Sequence, residues 1–162
     1  AWLPSYLKTA RGFSWASMGA WSSAPYVAGI VFVLLSGYLS DRFKRRATLC
    51  VVSMLGTAFG LYMGATAADN TQSALWLTWG IGFIGLGISP AWTLVQQFSP
   101  ANIIGIAAGY VNGATNLFSA FVPAIIGGLI GWTGTYLAGM LLMVGLGVIA
   151  AVAATPLMLK KY

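Results

Sequence analysis

The chain has 162 residues, of which 59% are hydrophobic, and only eight basic and two acidic side chains. A soluble domain carries roughly a quarter charged residues to hydrate its surface, so this composition excludes one. There is no His, the only acids are Asp41 and Asp69, and the only cysteine is Cys50, which rules out a His-based catalytic relay and a clustered metal site.

Residues 1–7 are apolar but too short to cross a bilayer and read as the end of a helix; residues 8–17 form a polar connection. Five apolar runs follow, each close to the ~20 residues a crossing needs: 18–39, interrupted by Pro25 and Gly29; 48–67; 74–95, carrying Gly80, Gly82, Gly85, Gly87 and Pro90; 103–130, carrying Pro123; and 136–159. Between them lie a charged loop (40–47) and short polar turns (68–73, 96–102, 131–135). The expected fold class is an all-α membrane protein, a transmembrane helix bundle of five full spans plus the end of a sixth. The chain shows no charged leader and no initiator Met, and it reads as a fragment or a trimmed chain. Its net charge of +6 sits at the ends of apolar runs, where membrane topology accounts for it and nucleic acid need not be invoked. Four basic residues between 42 and 46 and two at 160–161 fall an even number of crossings apart, so both ends, the C-terminus included, belong in the cytoplasm. Asp69 and the 131–135 turn then lie outside; Lys8 and Arg11 also do, against the trend.

The glycines of 74–95, with Gly139, Gly145 and Gly147, are suited to close helix packing. Polar side chains within a span face the bundle interior or a cavity, because lipid cannot solvate them. On this ground Ser89 and Trp92, three residues apart on one face, and Asn112, Thr115 and Asn116, within one turn of each other, are the candidate ligand residues. Amides offer donors and acceptors, and an indole offers a flat face to a sugar ring. The same residues also suit plainer tasks: the asparagines could staple packed helices, and Trp92 could anchor at the interface. Gln96 and Gln97 read as hydrated loop residues. No ionisable side chain lies in the middle of any span, so this chain supplies neither a proton carrier nor an anion-binding cation there.

The loop Gly37-Tyr38-Leu39-Ser40-Asp41-Arg42-Phe43-Lys44-Arg45-Arg46 resembles the cytoplasmic signature of the major facilitator superfamily, glycine–x–leucine–small–Asp–Arg–x–glycine–basic–basic. Lys44 departs from it, standing where a glycine is usual. The chain as a whole resembles the C-terminal six-helix half of such a transporter, with the N-terminal half absent. The segments Ala1–Leu7, Ala10–Ser14 and Gly131–Tyr136 are most similar to the anion:cation symporter family, the sugar-acid carriers. The resemblance implies alternating access. Gly37, Asp41, Arg42, Arg45 and Arg46 would form the gating motif, and Ser89, Trp92 and Asn112 would fall at ligand contacts. It also implies a small organic anion such as a hexuronate or aldonate as substrate, proton symport, residence in the cell inner membrane, no cofactor and no enzymatic activity. The expected partners are the lipid bilayer and the missing half. A membrane scaffold or assembly subunit is the alternative.

Overall fold

A computed structural model describes residues 2–160 and 162. The helices are α1 (Trp2–Ser5), continued by a π-helical turn (Tyr6–Ala10), α2 (Trp15–Phe43), α3 (Arg46–Thr66), α4 (Asn70–Phe83), α5 (Gly85–Phe98), α6 (Ile104–Thr133) and α7 (Tyr136–Leu159). Five helical runs are long and apolar enough to cross a membrane, with α4 and α5 together forming the third, Asn70–Phe98.

The N-terminal part differs from the sequence expectation. Helix persists to Ala10, so the connection shrinks to the few residues before Trp15. Ser14 caps α2: its Oγ accepts the Ser17 N–H at 3.2 Å, pairing one of the four amides that open a helix unpaired. Arg11, which the topology rule left unexplained, ties this segment down. Its Nε donates to Tyr6 Oη at 2.6 Å and its Nη2 to the Ala67 carbonyl at 2.8 Å, where α3 ends. A guanidinium there pairs an orphan carbonyl and suits the negative end of the helix dipole. Tyr6 Oη in turn lies 3.1 Å from the hydroxyl of Ser73, which is buried in α4.

The third crossing is interrupted at Ile84. Asp69 caps α4, its carboxylate accepting the Gln72 N–H at 2.8 Å. At Ile84 the ladder tightens: Ile84 N–H donates to the Ile81 carbonyl and Gly87 N–H to the Ile84 carbonyl. Six residues on, Pro90 has no N–H to offer the Leu86 carbonyl. Ser53 of α3 relieves the break by donating from Oγ to the Phe83 carbonyl at 3.0 Å, which lets interrupted backbone persist at membrane depth.

α3 is the hub, packed on both α4 and α7. The α3–α4 contact is made by glycines. A Cβ on Gly80 would stand 2.9 Å from the Gly60 Cα, closer than such atoms approach. Gly82 and Gly85 meet α2 at Ala28 and Gly29, and Gly87 meets Ser53. In α7, Gly139 meets Ile126 and Gly147 lies against Ala58, whereas a side chain at Gly145 would meet nothing within 4 Å; the packing role expected of Gly145 does not hold within this chain. α6 stands apart at the side of the bundle, with only Ile126 buried.

Candidate functional site

A cleft of about 490 Å³ opens between α3, α5 and α6. Its walls are mostly apolar, as ligand cavities are. From α5 it takes Ala91, Trp92 and Val95, which recur at helical spacing on one face; from α6 it takes Asn112 and Thr115.

Trp92 and Asn112, twenty residues apart in sequence, thus line one space. Ser89 does not: it is half-buried on the flank of α5 and outside the lining. Asn116 is also outside the lining and acts on Asn112 instead. Its Nδ2 donates to the Asn112 side-chain oxygen at 2.9 Å and to the Asn112 carbonyl at 2.8 Å. With Oδ1 so engaged, the Asn112 amide keeps its two N–H donors for the cleft. The Thr115 hydroxyl is spent on its own helix, at the Val111 carbonyl. Thr57 of α3, which sequence reasoning passed over, lines the same cleft with a buried hydroxyl oxygen that has no hydrogen-bond partner. A lone Thr within an apolar run carries no signal in sequence; only the cleft singles it out.

The charged loop lies at the other end of α2. Asp41, Arg42 and Arg45 are exposed, and Gly37 is half-buried with open space where a Cβ would stand. Lys44 closes α2 in the left-handed conformation (φ 52°, ψ 24°), donating its N–H to the Ser40 carbonyl. The turn a glycine usually makes is therefore made by a lysine. Arg46 Nη1 donates to the side-chain oxygen of Gln97 at 3.0 Å, so Gln97 is a partner of the loop and not only a hydrated residue. The C-terminus folds onto the same place: the Ala47 N–H donates to the Tyr162 carbonyl at 2.9 Å, and the Tyr162 ring packs on Phe98.

Five helical runs long and apolar enough to cross a membrane, one of them interrupted beside a cleft that carries a few polar side chains, have the architecture of a polytopic membrane protein. The sequence matches the Major Facilitator Superfamily over residues 1–161, and the chain belongs to that family. Among similar proteins are the probable sulfoacetate transporter SauU of Cupriavidus necator (31% identical over 97% of this chain and 39% of that protein) and the probable galactarate/D-glucarate transporter GudP of Escherichia coli K12 (30%, over 93% and 35%). The hexuronate transporter of Bacillus subtilis is 26% identical over 94% of this chain and 38% of its own length. The chain thus spans somewhat over a third of the length of these relatives. The resemblance to the superfamily read from the Gly37–Arg46 loop holds, and proteins named as sugar-acid carriers are among those similar to the chain, as the Ala1–Leu7, Ala10–Ser14 and Gly131–Tyr136 segments suggested.

Proposed function

We propose that the chain is the C-terminal half of a secondary active transporter that moves a small organic anion, a sugar acid such as a hexuronate or aldonate, by proton symport and alternating access across the cell inner membrane, with its C-terminus in the cytoplasm. The observation that carries this reading is the convergence of Trp92 and Asn112 on one cleft, with Asn112 oriented by Asn116. An indole face and two free amide donors match the C–H face and the oxygens of a hydroxy acid. The printed names of the relatives, galactarate/D-glucarate and hexuronate carriers among them, support the same substrate class.

The division of labour follows from what the spans lack. The charged groups among the described residues lie at or near helix ends, so the cation that meets the substrate's carboxylate and the group that carries the proton belong to the N-terminal half. The half-site supplied here binds the neutral part of the ligand. Asp41, Arg42 and Arg45, exposed at the end of α2, serve as the latch against that other half on the cytoplasmic side, and the open space at Gly37 lets a helix of that half approach. The Asn112–Asn116 bond lies within α6 and joins no two helices of this chain, which favours the transport reading over a scaffold.

The test is uptake of labelled glucuronate and galactonate into vesicles holding the intact transporter, with and without an inward proton gradient. Gradient-driven accumulation is expected. Uptake indifferent to the gradient would remove proton symport, and no uptake of either acid would remove the substrate class.

A further inference from the structure

A second cleft, about 540 Å³, lies between the first segment and α6, toward the end of the bundle away from the Gly37–Arg46 loop. Trp2, Ser5, Ser119, Pro123 and Tyr136 line it. Ser119 follows Asn112 and Asn116 on the same face of α6, seven residues or about 10 Å along the helix from Asn112, so one face of α6 serves both clefts.

The hydrogen bonds around this cleft fix which groups it can offer. The Thr9 hydroxyl donates its one proton to the Ser5 carbonyl at 2.6 Å. In the 3.0 Å contact between Thr9 and Tyr136 the phenol must therefore be the donor. With the phenol proton so used, Ser5 Oγ donates to Tyr136 Oη across 2.8 Å. The hydroxyl of Ser5 is left with lone pairs and no proton to give. On the α6 side, Pro123 has no N–H for the Ser119 carbonyl four residues before it, so that carbonyl lacks its helical partner. The cleft is thus rich in acceptors and has no cationic side chain in its lining. These acceptors, with the Ser119 O–H and the Trp2 indole N–H as donors beside them, suit hydroxyl groups, which both give and take protons, and the Trp2 indole supplies a face for the C–H groups between them.

We infer that this cleft is a separate subsite for the hydroxyl-bearing carbons of a polyhydroxy acid, occupied as the ligand travels along α6 to Asn112 and Trp92. The inference rests on the transport reading proposed above. Its elements are the Ser119 carbonyl and hydroxyl and Ser5 Oγ as acceptors, and Trp2 as the stacking face.

The experiment measures galactarate uptake by the intact transporter carrying Ser119→Ala or Pro123→Ala; the second restores an N–H to pair the Ser119 carbonyl. Each change removes about one hydrogen bond, so KM for galactarate should rise about 2- to 10-fold, with the maximal rate unchanged. The competitor adipate has the same two carboxylates and carbon number but no hydroxyls, and its inhibition constant should not move. In a Cys50→Ala background, galactarate should slow maleimide labelling of Ser119→Cys and adipate should not. An unchanged KM in both variants, equal shifts for galactarate and adipate, or labelling indifferent to galactarate would overturn the subsite while leaving the transport reading in place. No uptake of galactarate by an unaltered protein that carries glucuronate or galactonate would overturn the subsite alone, and no uptake of any of the three acids would overturn the substrate reading and the subsite with it.

Discussion

Lys44 shows how a single residue can obey a fold against its own preference. The left-handed conformation costs a residue with a Cβ roughly 1–2 kcal/mol, and glycine would give back part of that through the greater entropy of its unfolded chain. Lys44→Gly should therefore stabilise the detergent-solubilised protein by about 0.5–1 kcal/mol, seen as a higher midpoint of thermal unfolding. Arg11 is the opposite case, a residue whose partners all lie in the fold. Arg11→Ala strips the Tyr6 hydroxyl and the Ala67 carbonyl of their donor and should cost about 2–3 kcal/mol; Arg11→Lys, which keeps the charge but not the fork, should recover only part of it. A midpoint unmoved by Arg11→Ala would show that the first segment docks without this residue. The sequence exposed the Asn112/Asn116 pair, because amides at a spacing of four are neighbours on a helix. It did not separate Ser89 from Trp92, since positions three apart differ enough in direction for one to face a cleft and the other its flank. The partner of Arg11 was not legible at all: a backbone carbonyl at the end of α3 carries no side-chain signature.

Among the helices, small residues and interrupted ladders govern the geometry. Association of helices in lipid rests on close packing rather than on a hydrophobic drive, and the Gly60–Gly80 contact leaves no room for a methyl group. Gly60→Ala should push α3 and α4 apart and destabilise the protein by about 1–3 kcal/mol, whereas Gly145→Ala, facing open space, should be near neutral. Comparing the two unfolding midpoints checks both at once; equal losses would contradict the packing described. The composition of 74–95 displayed these glycines plainly. It concealed that the run extends to Asn70–Phe98 and breaks at Ile84, because apolarity and length are read over a whole window while a break depends on one carbonyl finding an outside donor, here Ser53. The short polar stretch before Trp15 misled in the other direction: Lys8 and Thr9 are polar, yet their backbone remains helical, held by the contact of Thr9 with Tyr136 of α7 and of Arg11 with Ala67 in the α3–α4 turn.

At the scale of the molecule, five crossings form a bundle whose most buried helix is α3, while α6 and much of α2 present apolar side chains outward, Tyr26, Leu34, Tyr110 and Phe118 among them. In the proposed transporter these faces meet lipid and the N-terminal half. Because the spans carry no central cation or proton carrier, this chain reconstituted alone should give no net uptake of a sugar acid, and accumulation above that of empty vesicles would contradict the proposed division of roles. For the intact transporter, Asp41→Asn should leave membrane insertion unchanged and slow uptake at least tenfold by removing the latch charge; a normal rate would discard the latch. The class of fold was legible from charge scarcity and span lengths alone, and the Gly37–Arg46 loop narrowed it to a family. The proposed ligand cleft was legible only in its parts, because its walls come from helices far apart in sequence.

The most direct test of the central claim, that Trp92 and Asn112 together bind the substrate, is uptake of labelled galactarate by the intact transporter and by its Asn112→Ala and Trp92→Ala variants at matched insertion. Loss of a hydrogen bond to a ligand hydroxyl is worth about 0.5–1.5 kcal/mol, so Asn112→Ala should raise KM about 2- to 10-fold, and Trp92→Ala should do so by a comparable factor. Two variants with the KM of the unaltered protein would contradict the account.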